Sequence, residues 1–201
     1  VYYLYLPLMI TPDGYRILQQ YIKPGMYIIE LGDQFADWSG QVHGRRADEV
    51  LVELHGVTVV SIDKHGQNRA LPYDLDVFPC EDHGLYADII TDFGTMEHTD
   101  DIYNCLKNVW KWCATLNPTG ISIHANPDKS YYRHGNYYFT PAFWETYCKL
   151  TGSKLLHIET TPVYRKDNPH HELYAVVQHS DSFMTRERWD AEMTKHYHRW
   201  E

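Results

Sequence analysis

Short runs of strand character alternate along this chain with stretches of helical periodicity. That alternation constrains the fold more than any other feature of the sequence. Met26–Leu31 (MYIIEL) has strand length and ends at Gly32. Val57–Ile62 (VTVVSI) ends at Asp63, Ala87–Thr91 (ADIIT) runs into Asp92, and Ile121–Ala125 follows the turn Asn117-Pro118-Thr119-Gly120. Between these runs the apolar residues fall at helical spacing. Tyr15–Lys23 stops at Pro24-Gly25, and Arg45–His55 stops at Gly56, a glycine suited to a left-handed C-cap. A helix is predicted from Thr99-Asp100-Asp101 through about Ala114, with Thr99 as N-cap, the acids in the first turn, and Ile102, Leu106, Val109, Trp110 and Cys113 on one face. Pro141–Leu150 is another, closed by Gly152. Leu155–Thr160 and Leu173–Gln178 read as two late strands joined by a polar loop, and the tail from Thr185 as a charged amphipathic helix.

Strands alternating with helices imply βαβ units and a mainly parallel α/β sheet with helices on both faces. Two late strands without an intervening helix imply an antiparallel hairpin at one edge. With 201 residues and no internal repeat or linker, one domain is expected. Its parts are a helical lead-in over 1–24, a core over 25–180 and a C-terminal helix over 181–201. In such a sheet a ligand binds beyond the carboxyl ends of the strands, so the residues just after each strand carry the function.

Composition narrows the partners. The formal charge of −9 is uneven: residues 1–100 hold 6 basic and 16 acidic side chains, whereas 101–201 hold 12 and 11. An acidic balance argues against a phosphate-backbone partner, which needs a basic stripe. No run of about 18 apolar residues is present, so no membrane span is expected. The apolar start, VYYLYLPLMI, lacks the basic flank and small-residue cleavage site of a signal peptide. Cys80, Cys105, Cys113 and Cys148 show no CxxC pair, which fits reduced, buried thiols in a cytoplasmic protein.

Acids cluster at the strand ends. The first strand ends Glu30-Leu31-Gly32-Asp33-Gln34, the second ends at Asp63, and the polar stretch Leu71-Pro72-Tyr73-Asp74-Leu75-Asp76 follows. The strand at 87–91 runs into Asp92-Phe93-Gly94-Thr95-Met96-Glu97-His98. A carboxylate at the end of a second α/β strand can accept hydrogen bonds from both ribose hydroxyls. Acids beside the first strand suit a cationic ligand and repel a pyrophosphate, and no G-x-G-x-x-G is present. A nucleoside carrying a cationic or amino-acid group therefore fits better than a nicotinamide dinucleotide.

This constellation resembles the class I S-adenosylmethionine-dependent methyltransferases over about residues 24–180. The resemblance implies a Rossmann-like seven-stranded, mostly parallel sheet and S-adenosylmethionine as cofactor. Glu30, Gly32, Asp33 and Gln34 correspond to the first cofactor motif, and Asp63 to the ribose-binding acid. Asp74 and Leu75 correspond to the adenine segment, and Phe93 and Gly94 to the lining of the methionine end. Leu116–Gly120 resembles the family's turn before strand five. Two features depart from the family pattern. Gln34 and Ala36 stand where further glycines are usual. One subgroup holds a divalent metal with Glu-x-x-Glu-His after strand four, but Gly94 stands in the first Glu position, and no metal is expected.

The acceptor side is less defined. His98 and His124 are candidate bases. Tyr132, His134 and Tyr137, within the aromatic stretch 131–139, are candidate contacts to a small-molecule acceptor, with O- or N-methylation both open. A catalytically silent binding module is the first alternative, and a nicotinamide-dependent oxidoreductase the second.

Overall fold

The computed structural model describes residues 9–66, 69–80, 84–114, 119–163 and 169–200. The apolar start at 1–8, the turn residues 116–118 and the loop at 164–168 lie outside the described residues.

In chain order the elements begin with β1 (Met9–Ile10), α1 (Pro12–Leu18), β2 (Tyr27–Leu31), β3 (Phe35–Ala36), α2 (Ala47–His55) and β4 (Thr58–Ile62). Then come β5 (Ile89–Phe93), a 3-10 turn (Met96–His98), α3 (Ile102–Ala114), β6 (Ile121–Pro127) and β7 (Tyr137–Phe139). The last are α4 (Pro141–Thr151), β8 (Lys154–Val163), β9 (His170–Gln178), α5 (Arg186–Glu192) and β10 (Tyr197–Arg199). The main sheet has the order β4-β2-β5-β6-β9-β8. The first four strands of that order are mutually parallel, and β9 pairs antiparallel with both β6 and β8.

The sheet thus has six strands among the described residues, not the seven expected. Beside β4, where a further strand would pair, one isolated parallel bridge joins Ile62 to Leu71. Leu71 N–H donates to the Ser61 carbonyl at 2.8 Å, and Asp63 N–H to the Leu71 carbonyl at 3.0 Å. Pro72 follows directly and has no N–H to continue a ladder.

Two other boundaries differ from expectation. The first helix spans Pro12–Leu18 rather than Tyr15–Lys23. Thr11 caps it by accepting from Gly14 N–H, and Pro12 occupies the first turn. The C-terminal helix expected over 181–201 is only seven residues long. Thr185, where the helix was expected to begin, caps it by accepting from Arg188 N–H at 3.3 Å. Beyond Met193 the chain turns and becomes β10, antiparallel to β7. Its aromatic and β-favouring residues explain the switch. Tyr197 packs edge-on against Tyr137, and His198 stacks on Tyr138.

Strand alternation divides the core. Ile29, Leu31, Ile62, Ile90, Ala175 and Val177 face α3, α4 and α5. Ile28, Ile89, Ile123 and Val176 face α1 and α2. No helix among the described residues is long and apolar enough to cross a membrane. All four cysteines are buried and free of disulfides.

Polar contacts from α3 fix the segment after β4. Buried Asn108 donates to the Val77 carbonyl at 2.8 Å and accepts from Cys80 N–H at 3.3 Å. Asp76 accepts from the N–H groups of Asp100 and Asp101 at 2.7 and 2.9 Å, just ahead of α3. The helix itself starts later than expected: Asp101, not Thr99, caps it, accepting from Asn104 N–H at 3.1 Å, and no acid lies in its first turn.

Gly120 enters β6 through a gap that admits no side chain. A Cβ there would lie 2.7 Å from the Cys113 carbonyl oxygen and 3.1 Å from that of Ala87. Gly120→Ala is expected to cost about 1–3 kcal/mol, the range for forced overpacking, read as a lowered urea midpoint with an unchanged slope. An unchanged midpoint would count against this packing.

Candidate functional site

The parallel strands place their carboxyl ends in one row. Ile62, Leu31 and Asp92 are register partners across β4, β2 and β5, and His124 continues the row on β6. Gly32, Asp63 and Phe93 therefore follow adjacent strand ends. Gly32 has φ +83° and Gly94 φ +93°, a region that favours glycine. Both strand exits turn as only glycine does readily.

One residue earlier, on the α1/α2 face, Ser61, Glu30 and Thr91 form a second register row. Glu30 is fully buried. It accepts from Ser61 Oγ at 2.7 Å through Oε2, while Oε1 has no hydrogen-bond partner. Burial pushes the Glu30 carboxyl up to about 8, against the lowering effect of the Ser61 hydrogen bond. Gln34 is also buried. Its Nε2 donates to the Leu31 carbonyl at 2.9 Å and the Phe93 carbonyl at 3.3 Å, so its side chain spans the exits of β2 and β5. Asp33 is ion-paired with Arg46, which also holds Asp48 at 3.1 Å.

Asp63 is partly exposed and accepts from His65 N–H at 2.8 Å. Asp74 meets Lys64 at 3.0 Å and accepts from Asp76 N–H at 3.0 Å. Leu75 is buried in the core. Phe93 is buried against Gly14, where a Cβ would come within 3.0 Å of its ring.

On the opposite face Asp92 is fully buried and accepts at four points. Oδ1 takes the N–H groups of Thr95 and Met96 at 3.1 and 2.9 Å. Oδ2 takes His124 Nδ1 at 2.8 Å and Asn126 Nδ2 at 3.3 Å. The network runs on from His124 Nε2 to Ser122 Oγ at 2.8 Å, to His179 Nε2 at 2.8 Å, and from His179 Nδ1 to Tyr147 OH at 3.2 Å. Asp92, a carboxylate, accepts from His124 Nδ1–H. Burial drives His179 down to about 3, so it stays neutral in this chain.

This arrangement corrects the expectation for His124. It was a candidate base, but it is fully buried, both ring nitrogens are engaged, and Trp144 packs on its ring at 4.2 Å. Its action is on Asp92, which shapes the segment 93–98.

That segment carries the acceptor-side candidates. Glu97 is 1% exposed, and burial pushes its carboxyl up to about 8. His98 is partly exposed at 43%. The stretch 131–139, expected to cover an acceptor, is fastened onto them. Asn136 N–H donates to the Glu97 carbonyl at 2.7 Å, and Asn136 Nδ2 to the carbonyls of His98 and Thr99, each at 3.1 Å. Gly135, at φ +71°, leaves no room for a Cβ, which would sit 2.7 Å from Glu97 Cγ. His134 Nε2 comes within 3.4 Å of Glu97 Oε1. Tyr132 is 67% exposed, with Arg133 over its ring. Tyr137 is the exception. It is buried in β7 with its hydroxyl donating to the Asp100 carbonyl at 3.0 Å, so it braces the segment instead of facing an acceptor. The approach of His134 to Glu97 spans 37 positions, and no motif in the sequence signals it.

No family model and no curated protein matches this sequence. Among solved structures, it resembles the Burkholderia thailandensis 1,6-didemethyltoxoflavin-N1-methyltransferase, crystallised with 1,6-didemethyltoxoflavin and S-adenosylhomocysteine. The TM-score is 0.56 at 16% identity, over 83% of this chain and 76% of that one. It is also similar to a Methanosarcina mazei S-adenosylmethionine-dependent methyltransferase, with a TM-score of 0.47, 9% identity and coverage of 84% and 99%. The N-methyltransferase NodS of Bradyrhizobium japonicum gives 0.48 and 11%, covering 83% and 93%. The first likeness identifies the fold as that of the class I S-adenosylmethionine-dependent methyltransferases.

Glu30 sets a pH dependence. Its folded value lies above its ordinary one, so the folded protein keeps a proton that the unfolded chain releases. Stability is then full at pH 4.5 and below and falls as pH rises toward about 8. Glu97 acts in the same sense. Glu30→Gln is expected to reduce the loss of unfolding free energy between pH 5 and about 8 in urea titrations. A slope equal to that of the parent protein would remove Glu30 from this role.

Proposed function

We propose that this protein is an S-adenosylmethionine-dependent methyltransferase acting on an O or N nucleophile of a small molecule. The single observation behind this is the row of strand exits, Gly32, Asp63 and Phe93-Gly94, on adjacent parallel strands of this fold. The likeness to a methyltransferase crystallised with S-adenosylhomocysteine supports it.

The residues present fit such a cofactor. Asp63 stands at the end of β4, partly exposed, where a carboxylate can take two ribose hydroxyls. Gly32 and Gly94 let backbone come close to a ligand at two strand exits. Glu30 holds a buried carboxyl oxygen without a partner, which a cationic group nearby would draw into its ionised form. Asp33 contributes through the loop it shapes, since Arg46 already holds it, whereas Gln34 bridges two strand exits through Nε2 and keeps a buried Oε1 without a partner. Asp74 and Leu75 border the adenine end in this reading. Bound S-adenosylmethionine supplies an activated methyl group for in-line displacement at its sulfonium. The chain's share is alignment, and fixing two reactants is worth up to about 7–11 kcal/mol. His98 is the partly exposed base candidate at the acceptor, with His134 and Tyr132 flanking it.

The buried Gln34 side chain also favours a second reading. By bridging the exits of β2 and β5, it could close the loop that a cofactor needs, leaving a silent binding module.

Thermal-shift titration separates these. S-adenosylmethionine and S-adenosylhomocysteine are expected to raise the midpoint, and NAD to leave it unchanged. Stabilisation by NAD alone would overturn the proposal, and stabilisation by none would favour the silent module. Asp63→Ala is expected to weaken cofactor binding by about 1.5–3 kcal/mol, the range for hydrogen bonds to a charged group. Calorimetry showing an unchanged affinity would take Asp63 out of the site.

A further inference from the structure

We propose that Glu97, His98 and His134 are the protein ligands of a divalent transition-metal ion at the acceptor end of the site. Expectation from sequence ran the other way, because Gly94 replaces the first acid of the Glu-x-x-Glu-His pattern. The fold supplies a third donor from elsewhere. His134 arrives on the segment after β6 and completes the set with Glu97 and His98.

The donor atoms are spaced as ligands are. All three lie within 4.8 Å of one another. Glu97 Oε1 is 3.4 Å from His134 Nε2 and 3.9 Å from His98 Nε2. Ligands about 2.1 Å from an ion sit roughly 3.0–3.4 Å apart in octahedral or tetrahedral arrangement. Small side-chain rotations close the difference.

A second observation points to a ligand. Glu97 is 99% buried by its 1% exposure, yet its Oε2 has no hydrogen-bond partner. A buried carboxylate oxygen left without a donor is costly, and a bound cation compensates it.

The surroundings hold the donors in place independently of any ion. Gly135 packs against Glu97, and Asn136 ties the two segments through three backbone carbonyls. Tyr131 stacks on the His134 ring at 4.1 Å, nearly coplanar at 7°. The His98 and His134 rings meet edge-on at 5.1 Å.

The donor set selects the metal class. Two imidazoles and one carboxylate suit zinc or cobalt better than magnesium or calcium, which prefer all-oxygen shells. Three protein ligands leave coordination positions for an acceptor oxygen or nitrogen, and an ion there lowers the pKa of a bound hydroxyl. That role rests on the proposed methyl transfer. Metal binding does not, so it is tested without cofactor.

The experiment titrates the tag-free, metal-stripped chain with Zn²⁺, Co²⁺ and, separately, Mg²⁺, each alone. Saturable Zn²⁺ binding by calorimetry and visible Co²⁺ absorption bands are expected, with no response to Mg²⁺ at the same concentration. Glu97→Gln, His98→Ala and His134→Phe are each expected to weaken Zn²⁺ at least about tenfold. His134→Phe keeps the stack on Tyr131, and Glu97→Gln keeps the side-chain shape, so both can be checked for folding by circular dichroism. His171→Ala, outside the cluster, is expected to bind as the parent does. Absence of saturable binding, or binding by folded His134→Phe within threefold of the parent, would overturn the proposal. Neither result affects the S-adenosylmethionine titration, so the two readings fail separately.

Discussion

The buried Asp92 carboxylate is the contact on which the rest of the site depends. It sits at the exit of β5, and its two oxygens face different parts of the molecule. One gathers the N–H groups of Thr95 and Met96 and so bends the chain toward Glu97 and His98. The other takes His124 and Asn126 of β6. A fully buried carboxylate is tolerated only when its oxygens are satisfied. Four donors do that here, and they come from two segments that must stay in register. The chain of His124, Ser122, His179 and Tyr147 extends this constraint under α4. Side-chain chemistry deep in the sheet thereby sets the position of groups at its rim.

Much of the scaffold was legible because the central strands β2, β5 and β6 are buried on both faces, and the edge strand β4 still reads as a continuous β-favouring run. Runs such as YIIEL and TVVSI can be little else once bounded by Gly25, Gly56 and the turn residues between them. The helix ending at Gly56 was visible for the same kind of reason, since Gly56 adopts φ +63° at its C-cap. Six runs read as strands and six form the sheet among the described residues; the seventh was implied by the family resemblance alone, and where it would pair, Leu71 bridges to Ile62 and Pro72 has no N–H to extend the ladder.

The candidate site was legible only in part. Residues just after strands could be named from sequence alone, because fold topology puts strand ends together. What each side chain does there could not. Asp33 is spent on Arg46, Gln34 bridges two strand exits, and Tyr137 is buried with its hydroxyl on a backbone carbonyl. These are long-range contacts with no periodic trace. The tail was misread for a related reason. Residues 193–200 carry charges that suit a solvated helix, yet Tyr197, His198 and Trp200 find the aromatic edge of β7, and packing overrides local preference.

The pairing of β10 with β7 has a kinetic consequence. Trp200 N–H donates to the Asn136 carbonyl, and its indole Nε1 to the His134 carbonyl 66 positions earlier. The acceptor segment is therefore closed by residues that are synthesised long after it. Loop closure over that distance carries an entropic cost that must be met before the contact gives any return. That cost is close to the one the sheet itself meets, since Tyr27 N–H of β2 reaches Asp88 just ahead of β5 across 61 positions, so the surface over Glu97 and His98 closes at an entropic cost comparable to that of the strand exits.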